Sequence, residues 1–323
     1  MELRQLQYLV AIVQEANFTR ASEKVFVSQS ALSQQIQSLE QEVSTVLLDR
    51  SRRGIRPTAA GEILYRHAQR IFLELEQAET AIHELEGLQR GELHVGVVQT
   101  VNDYLMPSLA STFAECHPRI KLLIKELSSE AIEAGLEQGE LQIGLGFLPS
   151  SSQHMSVQPL LEEQLVLIVR DDHPLGQHTR VTVASLDQLP MVLLSNTFCT
   201  RRLWEESARL TPAQPRVVME MNTVSSILAV VENSSLATVL PRLTFEQKMS
   251  DRLIAIDLIE PTPSRQVGLM WHRENYLCSA SRVFLEMAQT VTERLSLLTP
   301  PVELTKLGFS NNIITTKPDL TPV

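Results

Sequence analysis

The chain has 323 residues, 43% hydrophobic and 20% charged, with a formal net charge of −10. That balance describes a soluble globular protein of two or more domains and argues against a disordered or fibrous one. No run approaches the roughly eighteen apolar residues of a membrane helix, and the N-terminus reads as a polar helix rather than a signal peptide. The expected compartment is therefore the cytoplasm, with no membrane partner.

Leu3, Leu6, Leu9, Val10 and Val13 recur at helical spacing and predict a first amphipathic helix over 3–15. Asn17 is expected to end it and Thr19 to cap the next, with Ala21 and Val25 or Phe26 facing inward. Val27 breaks the pattern, and Ser28 is expected to cap a third helix running to about Glu42. Its apolar stripe is Ala31, Leu32, Ile36 and Leu39. Its opposite face carries Gln29, Ser30, Ser33, Gln34 and Gln37. Amides and hydroxyls on one uncharged helix face suit a major groove, where they donate to and accept from base edges. Arg50, Arg52, Arg53 and Arg56 follow, broken by Gly54. A hairpin wing there would set guanidinium groups against phosphates.

Residues 1–58 hold seven Lys or Arg against six Asp or Glu, a net +1, which leaves −11 for the rest. So weak a positive charge per reader predicts poor binding by one copy, because affinity depends on how many phosphates are neutralised. Two or more copies are expected.

The segments FTRASEKVFVSQSALSQQIQSLE and LLDRSRRGIRPTAAGE resemble the DNA-binding domain of LysR-type transcriptional regulators. The likeness extends more loosely over most of the chain. Within the family it is most similar to the cyanate-operon regulator type, through FTRAS, VSQSALSQQI, PTAAGE and NTVSSILAVVENSSLATVLP. The resemblance implies that Gln29, Ser33 and Gln34 meet bases, while Ser28, Arg50 and Arg53 meet phosphates; Ser30 and Arg52 complete the expected DNA-binding set. Ser44 and Leu48 depart from the family pattern, which usually has glycine and phenylalanine there.

Thr58 is expected to cap a long helix to about Glu86. Along it Leu64, Ala68, Ile71, Leu75, Ala78, Ile82 and Leu85 alternate by four and three, a heptad seam calling for a second chain. The resemblance implies antiparallel pairing of this linker helix. Gly87 and Gly91 flank a hinge, GLQRG, where helix gives way to strand.

From Glu92 the rhythm is α/β. Strands are expected at 92–98, 120–127, 141–147, 164–170, 191–195, 217–221, 236–240 and 267–271. Helices are expected through Leu109 and Phe113, over 128–140 and over 280–298. This order favours a mainly parallel sheet. Two halves with two crossovers resemble the periplasmic-binding-protein fold, which the resemblance implies for the effector domain.

The expected architecture is therefore multi-domain. An all-α winged helix-turn-helix domain (1–58) precedes a linker helix and hinge (59–91). An α/β effector domain (92–300) follows, with subdomain I over 92–163 and 266–300 and subdomain II over 164–265. The tail 301–323 has no periodic face and is expected to be flexible.

In such a fold a ligand lies in the cleft, where strand-to-helix turns present N–H groups to an anion. Hydroxyl-bearing turns stand at Gln99–Thr100, Ser128–Ser129, Ser195–Thr197 with Thr200–Arg201, and Thr223–Ser225. The resemblance implies that Thr100, Ser129, Thr200 and Asn222 or Thr223 line the inducer site. With Ser195, and with Arg201 nearby, they are expected to hold a small anionic inducer.

Cys116, Cys199 and Cys278 are few, odd in number and widely spaced, against a disulfide framework or a zinc site, and no cofactor is implied. Cys199 at the expected rim raises a redox-sensing alternative, although neither other cysteine is near in sequence. An enzyme or a solute-binding protein with an appended reader is the rival class. His94, His154, His173, Ser195 and Asp187 assemble into no catalytic pattern, and G-x-S-x-G, Walker, H-E-x-x-H and G-x-G-x-x-G motifs are all missing. The sequence therefore reads as a non-enzymatic regulator. Its expected partners are double-stranded DNA, a small-molecule inducer, a second copy or a tetramer of itself, and RNA polymerase, with inducer altering how an oligomer bends DNA.

Overall fold

The computed structural model describes residues 1–51, 54–85, 91–246 and 250–298. The chain divides into two compact units, an N-terminal reader with its linker helix and a larger C-terminal unit.

In the reader, α1 (Leu3–Glu15), α2 (Phe18–Lys24) and α3 (Gln29–Glu42) enclose a core of Leu9, Ile12, Ala21, Leu32, Ile36 and Leu39. Asn17, expected to end α1, instead caps α2: its Oδ1 accepts from the Thr19 and Arg20 N–H groups at 2.8 and 3.1 Å. Thr19 stands two residues past the cap position, already inside the first turn of α2. Ser28 caps α3 as expected, accepting from the Ala31 N–H at 3.2 Å. Ala31 itself is exposed, so the buried stripe reduces to Leu32, Ile36 and Leu39.

Left-handed residues close all three helices here, Ala16 (φ 48) after α1 and two more in Schellman geometry. Ser44 (φ 54) follows α3, with its N–H on Gln41 O at 3.2 Å and the Thr45 N–H on Glu40 O at 3.0 Å. Phe26 (φ 55) does the same after α2, with its N–H on Glu23 O and the Val27 N–H on Ser22 O. Both are Schellman closures, in which glycine is the usual occupant. Of the pair expected to face inward, Val25 packs on the core, whereas Phe26 is 94% exposed.

The wing is an antiparallel hairpin of β1 (Leu48–Ser51) and β2 (Gly54–Pro57), with Asp49 opposite Arg56. Arg52, Arg53 and the Arg50 side chain lie outside the described residues. Leu48 is buried in the reader core despite replacing the expected aromatic. Thr58 caps α4 (Ala59–Leu85), accepting from the Gly61 N–H at 3.1 Å and donating to Val46 O at 2.7 Å. A Cβ at Gly61 would stand 2.0 Å from the Leu47 carbonyl oxygen, so that position admits no side chain without a backbone shift.

The heptad seam divides along α4. Leu64 and Ala68 pack inward, whereas Leu75, Ala78 and Ile82 are exposed. The Leu85 side chain, hinge residues 86–90 and the tail 301–323 lie outside the described residues.

The C-terminal unit opens with β3 (Gly91–Val97), α5 (Gln99–Tyr104), α6 (Met106–Cys116), β4 (Ile120–Glu126), α7 (Ser129–Gln138) and β5 (Ile143–Leu148). Where one helix was expected before His117 there are two, broken at Leu105. Strands β4 and β5 both run parallel to β3. The next strand, β6 (Met155–Arg170), is far longer than the 164–170 segment expected, because its first part is polar and interrupted by Pro159.

Further elements are β7 (Arg180–Thr182), β8 (Pro190–Leu194), α8 (Cys199–Arg209), β9 (Arg216–Met221), α9 (Val224–Glu232) and β10 (Thr238–Pro241). They continue through α10 (Arg242–Glu246), β11 (Leu253–Ile259), β12 (Ser264–His272) and α11 (Ser279–Leu298). Strands β7 and β11 were not anticipated. The largest sheet has eight strands along the path β4-β3-β5-β12-β6-β11-β7, with β10 also paired to β6.

This sheet is mixed rather than mainly parallel. The physical reason is β6: one strand serves both halves, so β12, β10 and β11 pair with it antiparallel. One hydrophobic core packs under β3, β5 and β12 with α6 and α11. Two others pack around β6, β8 and β10 with α8 and α9.

Candidate functional site

On the reader, Ser28, Gln29, Ser30 and Gln34 are exposed along the first turns of α3, and Ser33 is half-buried. The Thr19 hydroxyl, freed from capping, donates to Gln29 Oε1 at 3.3 Å, while the Ser28 and Ser30 hydroxyls lie 3.1 Å apart. The polar face is thus tethered from α2 and at its own cap, leaving Gln34 pointing outward from an amphipathic helix seated on Leu32 and Ile36. Arg56 is exposed on the wing.

In the C-terminal unit a cavity of about 220 Å³ opens where α5, α7 and α8 begin. Its walls are Val98, Leu127, Phe147 and Phe198, and its polar groups include Gln99, Thr100, Ser128, Ser129, Thr197, Cys199 and Thr200. A neighbouring space of about 350 Å³ shares Ser129, Phe147 and Cys199 and adds Glu130, Arg202 and Arg265. Thr100 and Thr200 are nearly fully buried. Each accepts a hydrogen bond from Arg265 Nη2, at 3.2 and 3.0 Å. The Ser129 hydroxyl lies 3.6 Å from Cys199 Sγ.

Arg265 has no sequence signal: it is the second residue of β12, in a polar stretch before the apolar run expected as strand. Its guanidinium pairs with the buried Glu163 carboxylate, directly opposite it in the β6–β12 ladder, and lies 3.4 Å over the Phe147 ring. Nη1 of Arg265 and Oε1 of Glu163 are buried without a hydrogen-bond partner among the described residues. Burial, and then the neighbouring Glu163 charge, push the Tyr104 phenol well above its ordinary value. The cluster is therefore a desolvated ion pair with the Tyr104 phenol beside its carboxylate and one guanidinium donor unspent, a costly arrangement unless something polar completes it.

The other expected effector residues are placed differently. Arg201 is buried, but its guanidinium turns away from the cavity to Glu205 at 2.8 Å, Glu220 at 3.2 Å and Leu194 O at 2.9 Å. Ser195 is 2.8 Å from Thr197 Oγ1, and neither it nor Asn222 nor Thr223 lines the cavity. The backbone carbonyl of Asn222 accepts from Gln99 Nε2 at 2.5 Å, bridging two strand-to-helix turns. Arg202 Nη2 reaches Glu130 at 3.0 Å and Cys199 Sγ at 2.9 Å. Glu130 is held below the usual carboxylate range, chiefly by the backbone N–H and Ser128 hydroxyl at the start of α7, with Arg202 adding to this. All three cysteines are free. No helix among the described residues is long and apolar enough to cross a membrane.

Residues 3–62 match the family model for bacterial regulatory helix-turn-helix proteins of the lysR family, and residues 86–293 match the LysR substrate binding domain. A probable RuBisCO transcriptional regulator of Cyanidioschyzon merolae is 31% identical over 236 residues, covering 71% of this chain and 78% of that protein. The DNA-binding transcriptional dual regulator OxyR of Escherichia coli is 26% identical over 296 residues, covering 91% and 96%. The full-length OxyR structure from Pseudomonas aeruginosa aligns with a TM-score of 0.71 at 25% identity, covering 91% of this chain and 95% of that one.

Proposed function

This chain belongs to the LysR family of DNA-binding transcriptional regulators with an effector-binding domain, and we propose that it is an inducer-responsive oligomer. In this reading residues 1–58 read DNA, 59–91 pair two copies, and 92–300 bind the inducer between subdomain I (92–163, 266–300) and subdomain II (164–265). Gln29, Ser33 and Gln34 contact base edges, and Ser28, Ser30, Arg50, Arg52 and Arg53 grip the backbone. The protein works in the cytoplasm, without catalytic activity of its own.

The observation that carries the effector reading is the convergence of Thr100, Ser129 and Thr200 on one cavity, with both threonines held by Arg265, which lines the adjoining space and whose Nη1 has no hydrogen-bond partner among the described residues. α8 supports it: its N-cap Phe198 offers no side-chain acceptor, so its first N–H groups remain for a ligand. The proposed inducer is a small molecule with an anionic end and an apolar body, the end on these donors and the body on Phe147 and Phe198. Arg265, not Arg201, supplies the nearby cation. Binding changes how reader pairs sit on DNA, and so the bend they impose.

The test is calorimetric titration of the full chain with a panel of small organic acids, combined with footprinting of the DNA it binds. Wild type is expected to bind one acid and shift its footprint, and Thr100→Val to lose both responses. Absence of acid binding throughout the panel, or an unaltered Thr100→Val response, would contradict the reading.

A second reading rests on Cys199, which lines the cavity with its Sγ 2.9 Å from Arg202 Nη2 and 3.6 Å from the Ser129 hydroxyl. Among relatives of this chain are proteins named hydrogen peroxide-inducible genes activator. Here Cys199 would be the sensing group. A Cys199→Ser variant that keeps the full transcriptional response removes this reading and leaves the first intact.

A further inference from the structure

Phe26 has neither a backbone nor a packing reason to be phenylalanine. It occupies the left-handed closing position of α2, where an L-residue with a bulky side chain is disfavoured and glycine is at ease. Its ring is 94% exposed, while Val25 and Val27 on either side pack against the reader core. The ring gains nothing from burial there, and the left-handed turn strains any residue that carries a Cβ.

Its location says what covers it. Phe26 lies in the turn immediately before Ser28, the cap of α3, and a helix-turn-helix presents the N-terminal residues of its second helix to the major-groove edge. Gln29, one residue past that cap, belongs to the same face. Duplex DNA offers apolar surface at this edge in the thymine methyl groups and in the deoxyribose rings. We propose that Phe26 is a DNA-contacting residue, packing its ring on the apolar surface of the duplex beside the site read by Gln29 and Gln34. The proposal rests on the reader assignment above and adds to it an apolar contact among polar ones.

The experiment uses the full chain and duplexes that wild type selects from a random-sequence library. Phe26→Gly is expected to melt at or above the wild-type temperature, because glycine suits the turn, yet to bind the selected duplexes at least about tenfold more weakly. Single thymine-to-deoxyuridine replacements then identify the apolar source. Sensitivity at one position in wild type that vanishes in Phe26→Gly points to a methyl group, and a loss indifferent to every replacement points to deoxyribose. Gln34→Ala is the separate check on the reader, expected to lose affinity in either case. If Phe26→Gly binds as wild type does while Gln34→Ala fails, the proposal is overturned and the reader assignment stands. A Phe26→Gly protein that melts well below wild type likewise overturns it, since the ring would then serve the fold. If wild type selects no sequence, it is the reader assignment that falls.

Discussion

Arg265 donates from Nη2 to the Thr200 hydroxyl at 3.0 Å, joining the start of β12 to the first turn of α8. The same nitrogen reaches Thr100 in the first turn of α5, so one guanidinium ties two helix starts to the Glu163–Arg265 rung of the sheet. Each threonine hydroxyl, having accepted from Arg265, keeps its own proton to donate. A ligand entering the cavity therefore meets oriented O–H donors whose positions are fixed from behind by an ion pair. Any shift it causes in Arg265 is shared by both helices.

Arg265→Ala leaves the Glu163 carboxylate buried with no counter-charge. Breaking such a pair from one side costs about 3–5 kcal/mol, more than the pair itself contributes. Urea unfolding of Arg265→Ala should show a loss of that order, and adding Glu163→Gln should recover a large part of it. A double variant as unstable as the sum of its parts would mean the two residues do not act as a pair.

Ser44→Gly is expected to stabilise the reader. Ser44 holds φ 54 in a Schellman closure, a conformation costing an L-residue roughly 1–2 kcal/mol, of which glycine returns part through its freer unfolded chain. The net gain should be about 0.5–1 kcal/mol in thermal or urea unfolding, with DNA affinity unchanged. A loss of stability would show that the Ser44 hydroxyl, 3.5 Å from Gln41 O, matters more than the backbone.

The reader was legible because its signals are local. Ser28 announces the cap of α3, and a four-and-three apolar spacing announces the core faces. Thr100, Ser129 and Thr200 were legible for the same reason, since hydroxyls after strands mark helix starts. Arg265 and Glu163 were not, because they meet only through the antiparallel register of β6 and β12, and polar Met155–Glu163 does not read as strand. Arg201 misled for a physical reason that the sequence also contained: Glu205 stands four residues on, on the same helix face, and claims the guanidinium. Asn17 and Thr19 could each cap a helix, and only the fold decides between two such neighbours.

His173 gives the stability a pH dependence. Its Nδ1 accepts from the Leu175 N–H at 3.1 Å, capping the turn Pro174–Gln177, and so the ring is needed neutral. Burial holds its pKa below the ordinary 6.5, with Asp172 opposing and Arg170 assisting. Below about 6.5 the unfolded chain takes up this proton more readily than the folded one, so stability falls as pH drops from there through the folded value. His173→Asn should flatten that part of the profile of urea midpoint against pH. A profile identical to wild type would show that His173 does not contribute.

The exposed part of the α4 seam yields the last prediction. Leu64 packs on its own reader core and Ala68 is buried, so within one chain Leu75, Ala78 and Ile82 form an apolar row with water over it. A heptad row is stabilised when a second helix covers it, each buried leucine or isoleucine being worth about 1.5–3 kcal/mol. Leu75→Glu with Ile82→Glu should therefore raise the dimer dissociation constant, measured by sedimentation, well over tenfold. The folded monomer should lose little stability, because neither side chain packs inside it. DNA affinity should fall with dimerisation, since one weakly charged reader neutralises few phosphates. A variant that stays dimeric would place the pairing surface elsewhere, and one that dissociates yet binds DNA as tightly as before would show that a single reader suffices.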